Sequence, residues 1–200
     1  WVRAIFVANL VAQSAIIVTG AVVRLTGSGL GCPTWPQCVE GSYTPTARQE
    51  EVFHKYIEFG NRLLTFVLVL IAIAVLVAMF INVRSRRRAG IAQRPAIIVL
   101  SVIPFVGTAA QAVLGGVTVL TGLHPLIVSA HFLLSMVLVT AAVALVARSG
   151  DLGDQPVIRL APTPVRLLTW LMVSVAALVV VLGVITTGSG PHSGDAQSEA

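Results

Sequence analysis

Residues Leu63 to Val83 read LLTFVLVLIAIAVLVAMFINV, and Arg84 to Arg88 continue as RSRRR. An uncharged stretch of this length crosses a hydrocarbon core of about 30 Å as an α-helix rising about 1.5 Å per residue. The arginines behind it read as a stop-transfer signal at the cytoplasmic end of the span. A phospholipid or nucleic-acid patch is the weaker reading of such a run directly after a spanning helix. This one segment predicts an all-α integral membrane protein, and the composition agrees. The 200 residues are 56% hydrophobic and 10% charged, with a mean hydropathy of +0.91, whereas a soluble domain carries about a quarter charged residues. A water-soluble domain is excluded. The 13 Lys and Arg outnumber the 8 Asp and Glu, but they cluster near the ends of apolar runs and form no continuous basic face. The lipid bilayer is therefore the expected partner, and nucleic acid is not.

Four further apolar runs, Ala4 to Val23, Ala96 to Leu120, Pro125 to Ala147 and Leu167 to Thr187, are also long enough to span. The helix containing Leu63 is expected to begin earlier, near Phe53, on a more polar turn. Pro104 inside the third run predicts a kink, because proline frees a carbonyl one turn back. The first run exceeds the signal-peptide core of about 7 to 15 residues and no small-residue cleavage site follows it, so it reads as a helix. Arg3, Arg84, Arg86, Arg87, Arg88, Arg94, Arg148, Arg159 and Arg166 collect on one side; only Arg24, Arg48, Lys55 and Arg62 fall at or near the other. The first side, with the N-terminus, is expected to be cytoplasmic. The loop from Leu25 to Val52, the turn from Thr121 to His124 and the tail after Thr187 are then outside.

The tetrapeptide TGSG ends the first helix at Thr26 to Gly29 and recurs at Thr187 to Gly190 after the fifth. Glycine is common at helix ends, but shared position and sidedness suggest a duplicated four-helix unit. The expected organisation is a four-helix transmembrane bundle over 1–147, a cytoplasmic linker over 148–166, and over 167–200 a fifth helix opening a second pseudo-symmetric repeat. The chain is then expected to be an incomplete copy of an eight-helix protein, and the lack of Met at Trp1 fits a partial chain.

Ionisable residues inside a membrane are costly and read as functional. In the second helix His54, Glu58 and Arg62 recur every four residues with Asn61 beside them, so the four share a broad face near the outer surface. His124 and His131 are seven apart in the fourth helix, hence on one face, with His131 about 10 Å deeper. Imidazoles on facing helices suit haem iron, and a bundle core excludes water around the macrocycle. The plainer alternative is an interfacial Glu58–Arg62 ion pair with each histidine satisfying a carbonyl; two histidine-bearing faces plus a carboxylate favour a cofactor or substrate site. Cys32 and Cys38 are too few and too widely spaced for zinc, and a disulfide, redox-active or structural, is the better reading on the outer side. Gly115-Gly116 is expected to allow close helix packing. His192 has no evident partner.

The segments TGAVVRLTGSGLGCPTWPQC (Thr19 to Cys38), IEFGNR (Ile57 to Arg62), QAVLGGVTV (Gln111 to Val119) and HPLIVSAHF (His124 to Phe132) resemble the haem A synthase family. The resemblance covers essentially the whole chain, and its Arg-, Ala- and Val-rich style resembles the actinobacterial branch. It implies a multi-pass protein of a bacterial plasma membrane that oxidises a methyl group of haem O to a formyl, through a hydroxymethyl intermediate, giving haem A for cytochrome oxidase. It further implies eight helices in two pseudo-twofold halves, haem O as substrate of the first half and a haem b cofactor mainly in the second. By motif, Glu58 takes the place of the essential outer-end carboxylate, His131 that of the helix-four histidine and iron ligand, and Cys32 and Cys38 those of the outer-loop cysteine pair. Many members carry histidine where this chain has Asn61, so one strong iron ligand is expected at the depth of His131. His54 and His124 form an alternative outer pair. Arg62, Arg24 or Lys55 are expected to pair the haem propionates. The implied partners are haem O synthase, cytochrome oxidase assembly factors and a possible second copy. Two rival functions fit parts of the pattern: a non-catalytic haem-binding electron-transfer subunit, which needs no buried carboxylate, and a proton-coupled transporter, which would usually break helices at the midplane.

Overall fold

In the computed structural model, residues 1–47, 53–150 and 161–188 are described. Arg48, Arg159, His192, the second half of the repeated TGSG and the middle of the linker lie outside them. The described residues form α1 (Val2–Leu25), α2 (His54–Arg88), α3 (Pro95–Leu120), α4 (Pro125–Gly150) and α5 (Thr163–Gly188). All five are long and apolar enough to cross a membrane. The chain is an all-α integral membrane protein.

The helix ends differ from the limits of the apolar runs for local reasons. α2 starts at His54 and continues through the arginines to Arg88, because arginine is a good helix former and cations suit a helix C-terminus. α4 runs on to Gly150, and α5 begins at Thr163, with Pro164 in its first turn, where a missing N–H costs nothing. The two helices thus reach into both ends of the expected linker over 148–166. α3 passes through the buried Pro104 without interruption.

α1, α2, α3 and α4 pack in a closed ring, each against the next and α1 against α4. α5 lies outside the ring against α4 and buries none of its own residues. Arg24 at the end of α1 donates to the Thr187 carbonyl at 2.9 Å, tying the matching ends of the two TGSG-bearing helices together. Lipid supplies no hydrophobic drive between helices, so close packing and polar contacts must hold the ring. At the arginine-rich end Phe6, Val75, Ala78 and Leu145 close an apolar core. At mid-height Gly107 admits Leu138, whose Cδ2 would stand 2.1 Å from a Cβ there. Gln13 of α1 donates to Thr108 of α3 at 3.4 Å across the buried bundle centre. The apolar plug therefore fills one end, and the polar residues with chemistry gather at the other.

Candidate functional site

The loop after α1 is folded down onto the first turns of α2. Gly27, with φ of +64°, turns the chain out of the helix. Ser28, fully buried, then places its hydroxyl 2.9 Å from His54 Nδ1 and 2.6 Å from the Thr26 hydroxyl. The first TGSG thus seats His54 and leaves Nε2 as the second ring nitrogen. Gly31 packs on the backbone of α2: a Cβ would meet His54 C and O and Lys55 N at 2.7 Å. Only glycine admits this approach without displacing main chain.

Cys32 and Cys38 are joined in a disulfide and are fully buried. Beneath them Glu58 is 5% exposed. Its Oε2 accepts the Cys32 N–H at 2.7 Å, and its Oε1 accepts Arg62 Nε at 3.0 Å. Arg62 also donates through Nη1 to the Thr34 and Gln37 carbonyls at 2.9 and 3.2 Å, and through Nη2 to the Cys32 carbonyl at 2.5 Å. Every guanidinium nitrogen is engaged. A planar fork of fixed donors suits this task better than a lysine would. Arg62, one of three cations expected near the haem propionates, clamps the disulfide loop to Glu58. Lys55 is likewise turned into the loop, 2% exposed, with Nζ donating to the Thr46 carbonyl at 2.8 Å.

The four polar residues at the start of α2 therefore divide. His54, Glu58 and Arg62 meet the loop, while Asn61 faces α1, where Thr19 Oγ1 donates to its Oδ1 at 2.7 Å. Its Oδ1 is taken up in a helix–helix bond.

On α4, His124 is exposed just before the first turn, and its carbonyl accepts the N–H groups of Ile127 and Val128. His131 is half-buried, and its Nδ1 is buried without a hydrogen-bond partner. Its ring leans on α3 where Gly115 leaves room: Cε1 lies 3.2 Å from the position of a Cβ on that glycine. The expected helix packing at Gly115-Gly116 is half right. Gly115 admits the α4 histidine, but Gly116 admits Trp35 of the disulfide loop, whose ring atoms would stand 2.5 Å from a Cβ. Sequence spacing could not show this, because the loop reaches α3 only through the fold.

Glutamine 111 carried no assigned role in the sequence. Its Nε2 donates to the His131 carbonyl at 3.1 Å and to Ser135 Oγ at 2.5 Å. An amide four before Gly115, in a helix whose other polar residues are small hydroxyls, was the available signal.

Fold and site define a multi-pass helical membrane protein with a disulfide-bonded loop locked over a buried carboxylate and a histidine set in its bundle wall. The chain belongs to the COX15-CtaA family, described as cytochrome oxidase assembly protein, which it matches over residues 3–191. It is 32% identical over 117 residues to a haem A synthase of Geobacillus thermodenitrificans, covering 58% of this chain and 32% of that protein. It is 34% identical over 140 residues to a haem A synthase of Lysinibacillus sphaericus, covering 70% of this chain and 42% of that one. A haem A synthase of Bacillus cereus is 29% identical over 124 residues, or 58% of this chain and 36% of the relative. The chain thus covers less than half the length of these relatives. No solved structure matches it.

Proposed function

We propose that the protein acts in haem A synthesis, oxidising a methyl group of haem O to the formyl of haem A for cytochrome oxidase, with the loop end of the bundle as its substrate site. The observation that carries this reading is His131. An imidazole with a buried, partnerless Nδ1, seated closely against Gly115, fits an axial ligand for the substrate iron. Asn61 is held by Thr19, so His131 is the strong ligand at that depth. His54, with Nδ1 on Ser28, and the exposed His124 form the outer pair for a macrocycle seated higher.

Glu58 is the catalytic candidate. Oxidising a methyl carbon requires removal of protons and stabilisation of positive charge, and Glu58 is a buried carboxylate at this end of the bundle. Arg62 and the Cys32 N–H hold it in one orientation, which suits a group that must meet one carbon of a large flat substrate. A haem b cofactor, placed by the resemblance in the part of longer relatives beyond this repeat, would supply electron transfer. The arginine-rich end faces the cytoplasm of a bacterium and the disulfide loop faces outward, where a disulfide persists. Haem O synthase and cytochrome oxidase assembly factors are the matching partners.

The test is extraction and mass analysis of haem from cells that express the protein with and without a supply of haem O. Haem A formed only with haem O supports the reading. Glu58→Gln should leave haem O unconverted at normal protein level, and a normal haem A yield from that variant would remove Glu58 from the chemistry.

A further inference from the structure

We propose that Gln111 is a positioning residue for the His131 imidazole, its Oε1 accepting the Nδ1–H directly or through one water when haem iron is held at Nε2. This rests on the reading of His131 as an iron ligand.

Two complementary groups stand without partners on facing turns of α3 and α4. His131 Nδ1 is buried and makes no hydrogen bond, and so is Gln111 Oε1. Each orphan costs free energy in a membrane interior, where no bulk water can satisfy it. The orientation of the Gln111 amide is fixed by its surroundings. Ser135 Oγ donates to the His131 carbonyl at 3.0 Å, so its single hydrogen is used and it can only accept. The His131 carbonyl also only accepts. Both neighbours therefore demand the amide nitrogen, at 2.5 and 3.1 Å, and the oxygen is left over as an acceptor beside the histidine's own turn.

The ring is oriented to match. Its Cε1–Nδ1 edge lies toward Gly115, at 3.2 and 3.8 Å from a Cβ built there, one turn along α3 from Gln111. Nδ1 thus faces the helix that carries the spare oxygen, and Nε2 remains as the ligating nitrogen. A metal-bound histidine almost always donates its other N–H, which fixes its tautomer and raises its basicity. Glutamine offers a neutral acceptor for this purpose, so no charge is added to the membrane interior.

The test uses the protein loaded with ferrous haem, reading the iron–histidine stretch by resonance Raman, the midpoint potential and the haem affinity. The band lost in His131→Ala identifies the ligand. Gln111→Leu should move that band to lower frequency, raise the potential and weaken haem affinity by about 10- to 100-fold. Gln111→Glu, when ionised, is a stronger acceptor but gives up both Nε2 donations, so the band should move up and the potential down together with a loss of thermal stability, a reversal of the Gln111→Leu shift that a purely structural role would not produce. Wild-type band, potential and affinity in Gln111→Leu would overturn the inference. Should that variant not fold, an unshifted Gln111→Glu overturns it equally. If His131→Ala keeps the band, the ligand reading itself fails instead.

Discussion

The main-chain N–H of Cys32 donates to Glu58 Oε2 at 2.7 Å, so a half-cystine of the first loop and the buried carboxylate of α2 form one hydrogen-bonded unit. Arg62 closes the unit by gripping both Glu58 and the Cys32 carbonyl. The state of the loop and the orientation of the carboxylate are consequently coupled: whatever moves Cys32 moves a ligand of Glu58.

The first prediction concerns the bridge. Thiol labelling of the unreduced protein should be negligible and should rise on reduction. Replacing Cys32 and Cys38 by serine removes the constraint on a short loop, which costs about 2 kcal/mol of stability. It should also slow turnover while haem content stays intact, because Glu58 loses a fixed donor. Equal labelling before and after reduction would discard the bridge, and full turnover in the double variant would uncouple it from Glu58.

Arg62 should matter through geometry as well as charge. Arg62→Ala leaves Glu58 and three loop carbonyls without their donor, and breaking such a pair costs about 3 kcal/mol where it is largely buried. Arg62→Lys restores the charge but cannot reach four acceptors at once, so it should recover only part of the thermal stability. Full recovery by lysine, measured by thermal unfolding in detergent, would show that charge alone suffices.

Gly31→Ala is predicted to damage the site although no functional group changes. The new methyl meets main-chain atoms of His54 and Lys55 at 2.7 Å, and these cannot rotate away. A displacement of the loop costing about 1–3 kcal/mol is expected. Faster proteolysis of the loop would report it; unchanged proteolysis and stability would mean that Gly31 does not dock this closely on α2.

Asn61→His should convert a substrate site into a retaining one. Asn61 is occupied by Thr19, which leaves His131 as one strong ligand at its depth. A second imidazole there should give a six-coordinate low-spin haem with slower product release, and His131→Ala should lose haem O binding in this bundle. Optical and resonance Raman spectra decide it. An unchanged Asn61→His spectrum, with a ligand lost instead in His54→Ala, would move the macrocycle to His54 and His124.

Hydropathy alone determined that Leu63 to Val83 spans a membrane, because the cost of burying charge and open backbone in lipid leaves a long apolar run few alternatives. The same argument placed all five helices, and residue spacing put His54, Glu58 and Arg62 on one side of α2. The Glu58–Arg62 pair was already legible in that spacing, but the loop partners of these residues were decided only by the tertiary structure. Whether Arg62 meets a propionate or the Cys32 carbonyl, and whether Gly116 faces a helix or Trp35, depends on where a loop of more than twenty residues settles. Periodicity describes one helix at a time. The contacts of Gln111 with the turn of His131, and of Asn61 with Thr19, join residues far apart in sequence, and only the closed ring of helices brings them within hydrogen-bond reach.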